Sequence, residues 1–497
     1  MYVKQYRGSH SNLNANQGYL LEQCVVWQRL SEYLGWQCDN VRAAYSEISQ
    51  DIQNEVYAGA RAFVQANKGR YKCGGYIYTG EGQDLGQFWA ELNVGNAKVK
   101  KTTANEIVTN GNAMYTIAGA TFGIFSDQNC SNQIGTLTTN ENGETNEVEV
   151  TAGTVYIKEL SAPKGYKLDT TVHSLKVEAG KTATLNVSDV PKVTETLVDL
   201  FKIDMETGKA TAQGNAALAG AEFTWHYYDG LYTKDSLPEK ATRTWVTKTV
   251  AEKDSDGTIH YVTKLTDAYK VSGDAFYTQN EKSVLPLGTL TVEETKAPDG
   301  YLLDGAYMQA GDITEQIKGM YLTQITEDGE LAVLSGSNQY SVSDQVIRGG
   351  VKIQKRDLET KDTKAQGSAT LKDTAFAIIS LNENSVLVEG KLYKKNETVK
   401  TIQTGIDGVA TTSADLLPYG KYKLEETKAP EGYSINTDGK DITLTQTGVA
   451  TGIVKASDKL NDTKLNALPS TGGIGTTIFT IGGCAIMIVA AGLFFAT

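Results

Sequence analysis

Tyr422-Lys423-Leu424-Glu425-Glu426-Thr427-Lys428-Ala429-Pro430-Glu431-Gly432-Tyr433 decides how this chain is read. It is an alternating strand, then a Glu, then an Ala-Pro-x-Gly-Tyr turn in which Pro presets its φ and Gly supplies backbone freedom. The same punctuation occurs at Leu290-Thr291-Val292-Glu293-Glu294-Thr295-Lys296-Ala297-Pro298-Asp299-Gly300-Tyr301. It recurs at Tyr156-Ile157-Lys158-Glu159-Leu160-Ser161-Ala162-Pro163-Lys164-Gly165-Tyr166. With only 8 prolines in 497 residues, three copies mark a repeat rather than chance.

Upstream of each copy lies a strand pattern ending in Lys: Ala97/Val99/Lys101, Val198/Leu200/Lys202 and Val351/Ile353/Lys355. Downstream lies one ending in Ser-Asp: Leu185/Val187/Asp189, Tyr340/Val342/Asp344 and Val454/Ala456/Asp458. Side chains alternate along a strand, so each Lys and each Asp shares the face of its apolar pair. Each repeat therefore sends a Lys, a Glu and an Asp towards its own core. Buried charges are costly unless paired or chemically changed. One outcome is a buried ion-pair network, or Lys side chains that bend out to solvent. The other is an amide. Burial favours the neutral amine and the neutral acids, the amine is a nucleophile, and the Glu can shuttle protons as water leaves.

These repeats resemble the CnaB-type (prealbumin-like) domains of Gram-positive pilins and adhesins, the Glu matching that family's E-box. The resemblance implies isopeptide cross-links Lys101–Asp189, Lys202–Asp344 and Lys355–Asp458, with Glu159, Glu294 and Glu426 as proton shuttles. Asn461 is a rival acceptor in the third repeat, nearer the chain end but out of phase with Val454 and Ala456. The expected architecture is mainly β: three tandem Ig-like/prealbumin-like sandwiches at residues 96–191, 192–346 (with an insertion at 223–277) and 347–463. A small α+β head at residues 1–95 precedes them.

Leu468-Pro469-Ser470-Thr471-Gly472 matches the sortase motif LPxTG, and an uncharged apolar run from Ile474 to Phe495 follows. Residues 464–497 are thus expected to be a sorting signal with a transmembrane helix long enough to span hydrocarbon. The helix holds the chain while the sortase thiolate attacks the Thr471 carbonyl and passes the acyl group to a wall amine. Sortase, and peptidoglycan after anchoring, are the expected partners, and the Gram-positive cell wall the expected location, reached by way of the plasma membrane. No basic residues follow Phe495, and Met1–Arg7 leads into polar residues without an apolar signal core. A gene product incomplete at both ends is the expectation.

In the head, residues 20–34 and 41–64 have helical periodicity (Ile48, Ile52, Val56, Ala60 and Val64 on one stripe), and residues 71–79 and 87–94 read as strands. Glu22-Gln23-Cys24-Val25-Val26-Trp27 resembles the T-Q-x-A-I-W motif of thioester domains. That resemblance implies a thioester-like role for Gln23 with an upstream Cys. None precedes it, and Cys24 lies on a different helix face, so this chain is expected to lack the thioester.

A net charge of −12 argues against nucleic acid. The 5 cysteines show no CxxC pairs and no legible disulfide framework. No catalytic constellation can be assembled from His10, His173, His226 and His260, nor is there a P-loop or metal-ligand spacing. No cofactor, metal or enzymatic turnover is expected. The expected function is a wall-anchored adhesin, free-standing or a pilus tip or minor subunit, meeting a host or neighbouring-cell ligand and possible fellow pilin subunits. The alternative is a pilus backbone subunit polymerised through Lys192 of Val190-Pro191-Lys192, where the family's Y-P-K motif would lie.

Overall fold

A computed structural model describes residues 2–9, 13–35, 46, 48–79, 81, 85–195, 199–310, 317–326, 339–444, 453–455 and 461–462. The chain divides into two compact units, Met1–Glu106 with Tyr115–Pro191, and Ile107–Met114 with Lys192–Thr497. The sorting signal, the apolar run after it and Asp458 lie outside the described residues. Among the described residues no helix is long and apolar enough to cross a membrane.

The first unit opens with helices Tyr2–Ser9, Ala15–Leu34 and Gln50–Ala66. The second helix begins at a capping box: Asn14 accepts from the Gln17 backbone N–H, and the Gln17 side chain accepts from that of Asn14. It ends at Gly35, whose φ of 68° is the left-handed C-terminal cap. Val3, Tyr6, Leu21, Ile48 and Val56 form the small helical core. The expected apolar stripe is buried only in its first half, for Val64 is exposed on the rim of an open cleft. Strands Tyr71–Tyr78 and Leu85–Leu92 pair as an antiparallel hairpin. Asn93 separates this hairpin from the first sandwich, whose first strand begins at Val94.

That sandwich packs a three-stranded sheet (Val148–Thr151, Val94–Thr103, Thr182–Asp189) on a four-stranded one (Gln133–Thr138, Thr121–Phe125, Gly153–Ser161, Val172–Val177). Ala97, Val99, Phe122, Ile124, Val155 and Ile157 fill the space between them. Alternation explains the layers, since the strand Val94–Thr103 buries every second residue.

In the second unit, Asp199–Asp204 sits in a six-stranded sheet beside Gln339–Val346. Glu222–Tyr228 and Gly288–Lys296 sit centrally in a five-stranded one. The insertion extends both sheets: Arg243–Lys248 and Lys270–Gly273 join one, Val250–Lys253 and Ile259–Thr263 the other. Trp225, Tyr227 and Trp245 are fully buried there. The same unit holds a further sandwich, whose four-stranded sheet is Thr398–Gln403, Ala375–Ser380, Gly420–Lys428 and Lys440–Leu444. Its opposite layer centres on Arg348–Gln354. Val351, Ile353, Phe376, Ile378, Tyr422 and Leu424 lie in its core.

The first and last strands of each sandwich are parallel neighbours. This pairing brings residues far apart in sequence to the same pole.

Candidate functional site: a buried lysine between two acids

Lys101, Lys202 and Lys355 are each fully buried at the end of a first strand. In the first sandwich Lys101 Nζ lies 2.5 Å from Glu159 Oε1 and 2.6 Å from Asp189 Oδ2. In the second, Lys202 Nζ contacts Glu294 Oε2 and lies 2.5 Å from Asp344 Oδ1. In the third, Lys355 Nζ contacts Glu426 Oε2. Asn461 stands in the short strand Asn461–Asp462, across a parallel ladder from Arg356.

The surroundings repeat as closely as the contacts. A phenylalanine ring underlies each ammonium position, with Nζ 4.9 Å from the centre of Phe122 and 5.8 Å from those of Phe223 and Phe376. Each Phe is the register partner of the Glu: Phe122 of Glu159, Phe223 of Glu294 and Phe376 of Glu426. In all three the ladder shifts register immediately before that Phe. An irregularity of this kind re-aims a side chain, and here it stands beside the inward-facing Glu. The sequence reading missed it. Its trace is the A-x-F of Ala120-Thr121-Phe122 and Ala221-Glu222-Phe223, changed to Thr374-Ala375-Phe376 in the third repeat.

Burial pushes the carboxyls of Glu159, Asp189 and Asp344 above their ordinary range, and that of Glu294 up to about 8. Asp189 and Asp344 each face their Lys amine across a short ion pair, with the Glu beside them. Burial strips these carboxyls of their hydration and outweighs the pull of the neighbouring amine, so the site favours the uncharged acid. Glu159 Oε2 also accepts the Asp169 backbone N–H at 2.8 Å. Asp189 and Asp344 are thus each held against an amine, with a second buried acid alongside.

The turns were legible, but what their tyrosines do was not. Gly165, Gly300 and Gly432 have φ of 85°, 85° and 86°, and each following Tyr N–H donates to the Pro carbonyl three residues back. Tyr301 then donates its hydroxyl to Asp204 Oδ2 at 2.9 Å, and Tyr433 to Asp357 Oδ2 at 2.7 Å. Both Asp residues are buried two positions after the Lys, and each also accepts from a Gln amide, Gln213 or Gln366. The first repeat has Thr103 at that position, and its Tyr166 packs edge-on against Tyr115.

In the head, Gln23 is exposed on its helix while Cys24 is buried, so the two do not share a face. Among the described residues no group of acidic, His or Cys side chains could hold a metal ion.

Residues 96–191 and 356–459 match the prealbumin-like fold domain SpaA, and residues 461–497 match the LPXTG cell wall anchor motif. The matched stretches carry a prealbumin-like fold and a cell wall anchor motif, which assigns the chain to the Gram-positive cell surface. Its anchor motif implies sortase processing and attachment to peptidoglycan. It is 30% identical over 170 residues to the trypsin-resistant surface T6 protein of Streptococcus pyogenes serotype M6, covering 33% of this chain and 30% of that one. Among solved structures it is similar to the Bacillus anthracis TIE protein, at 22% identity and a TM-score of 0.45, over 79% of this chain and 58% of that one. It is also similar to BcpA, the major pilin subunit of Bacillus cereus, at 18% identity and a TM-score of 0.27, over 75% of this chain and 100% of that one. The chain therefore spans less than two thirds of the length of the T6 and TIE proteins. Residues 192–346 lie outside the prealbumin-like match, yet Lys202, Glu294, Asp344 and Phe223 repeat the same arrangement.

Proposed function

We propose that this chain is a wall-anchored adhesin whose stalk, residues 96–463 in three sandwiches, is cross-linked by its own Lys–Asp isopeptide bonds. The observation that carries this reading is the fully buried Lys whose amine stands 2.5–2.6 Å from an Asp oxygen, with a second buried acid alongside. Lys Nζ attacks Asp Cγ, a C–N bond forms, a C–O bond breaks, and the neighbouring Glu returns the proton that lets water leave. The product leaves no charge on the Lys or the Asp. An ion pair in the same place would keep both charges and their desolvation cost.

The head, residues 1–95, is the part we assign to ligand contact on a host or neighbouring cell. A cleft of about 540 Å³ supports that assignment, lined by Val25, Val26, Phe63, Val64, Tyr71 and Cys73 among others. Sortase joins Thr471 to the wall and so fixes the chain at the cell surface.

Intact mass tests the cross-links. Three closed bonds lower the mass of the full chain by three waters, about 54 Da from the condensation stoichiometry. The full sequence mass, unchanged, would remove the isopeptide reading and leave a stalk held by buried ion pairs.

A further inference from the structure

The sequence offers the third sandwich three acceptor candidates, Asp458, Asn461 and Asp462, and the strand registers choose among them. In the first sandwich the parallel ladder sets Lys101 opposite Val187 and Thr103 opposite Asp189. In the second it sets Lys202 opposite Val342 and Asp204 opposite Asp344. In both, the acid stands across from the residue two beyond the Lys. Two residues make one full pleat, so this is the position on the same face as the Lys, displaced along the strand.

In the third sandwich the residue two beyond Lys355 is Asp357, and the residue across from it is Asp462. Asn461 stands opposite Arg356, an odd step from Lys355 and hence a position of the other face. Upstream, Lys352 pairs with Lys455. Continued without interruption, that register would set Asp458 opposite Lys355 itself, one pleat short of where the acid stands elsewhere. Between the two paired stretches the last strand gains two residues over the first. The gain carries Asp462 into the acceptor position.

We infer that the third clasp closes between Lys355 and Asp462, an assignment that rests on the isopeptide reading above. Lys355 Nζ bonds to Asp462 Cγ, the Cγ–O bond breaks, and water leaves with its proton relayed by Glu426, which already contacts Nζ. The cross-link then ends close to the sorting signal, with Thr463-Lys464-Leu465-Asn466-Ala467 alone between Asp462 and Leu468.

Tryptic digestion of the full chain separates the candidates, because Lys459 puts Asp458 and Asp462 in different peptides. The expected product is a branched peptide joining Ile353–Arg356 to Leu460–Lys464, lighter than the sum of the two by about 18 Da, one water. Asp462→Asn is expected to change that loss to about 17 Da, because ammonia then leaves instead. Asp462→Ala is expected to abolish the branch, and Asp458→Ala to leave it. A branch to Ala456–Lys459 would overturn the assignment to Asp462 while sparing the isopeptide reading. So would a branch to Leu460–Lys464 that forms with loss of ammonia in the unaltered chain, since Asn461 would then be the acceptor. No branch at Lys355 at all would overturn the isopeptide reading for this sandwich and the assignment with it.

Discussion

Tyr433 donates its hydroxyl to Asp357 Oδ2 at 2.7 Å, tying the turn after the Glu strand to the end of the Lys strand. Asp357 is fully buried and also accepts from the backbone N–H groups of Glu359 and Thr360 and from Gln366. Tyr433→Phe removes one donor from a buried carboxylate. The expected cost is about 1–3 kcal/mol, read as a lower Tm for the transition of that sandwich. Tyr166→Phe is expected to cost less, because Thr103 stands where the other repeats have Asp. Equal losses at both tyrosines would show that ring packing, not the hydroxyl, is what matters.

The same carboxylate gives the stability a definite acid limit. Although burial opposes ionisation, the hydrogen bonds from Thr360, Tyr433 and Gln366 pull the Asp357 carboxyl down to about 2 from its ordinary 3.8. A depressed folded-state pKa stabilises fully above the unfolded value and is lost as pH falls through the folded one. The contribution of Asp357 is therefore present above about pH 4 and fades towards pH 2. Thermal scans of the unaltered chain and Asp357→Asn should converge across that interval. Curves that stay parallel down to pH 2 would contradict the assignment.

Glu294→Ala should leave Lys202 and Asp344 unjoined. The chain is then expected to weigh one water more than the substitution alone predicts, about 18 Da by stoichiometry. Loss of a covalent loop closure typically costs about 2–4 kcal/mol, on the analogy of a disulfide, so that sandwich should also melt earlier. A mass showing the bond still closed would mean that Glu294 is not the proton relay.

Arg348 forks onto Glu206, with Nε 2.6 Å from Oε1 and Nη2 2.6 Å from Oε2, and also donates to the Leu416 and Leu387 carbonyls. It thus pins a loop of the second sandwich to loops of the third. Arg348→Ala strips a half-buried carboxylate of its charge partner, at an expected cost of about 2–3 kcal/mol. Arg348→Lys should recover little, because a point charge cannot occupy both carboxylate oxygens and the two carbonyls together. If the fork couples them, calorimetry of the unaltered chain should show the two sandwiches melting in one transition, and Arg348→Ala should split it into two. A single unchanged transition would show that the fork does not couple them.

Much of the site was readable because period-two alternation is a local property. Lys101, Glu159 and Asp189 each share a face with apolar neighbours a few residues away, so their inward direction follows from short windows of sequence. What escaped depends on pairing. The register shifts before Phe122, Phe223 and Phe376 arise only when two distant strands are aligned, and no window contains both. Asp204 and Asp357 were within reach, since a residue two beyond an inward Lys must also face inward. They were passed over because the first repeat has Thr103 there, which hides the pattern. The helix Tyr2–Ser9 was missed too, because its buried residues, Val3 and Tyr6, make only one turn of apolar signal. The helix Ala15–Leu34 was read only from residue 20, although Asn14 and Gln17 carry the capping signal of its true start.

The first and last strands of each sandwich run the same way, side by side. The chain therefore enters at one pole and leaves at the other. Tension applied through the termini slides these two strands along each other instead of peeling them apart. In a peel, hydrogen bonds give way one after another, each bearing the whole load in turn. In a slide, the rungs from Asn96–Thr182 to Thr103–Asp189 share the load at once. On this geometry a surface stalk in flowing liquid would resist detachment even before any covalent bond has closed.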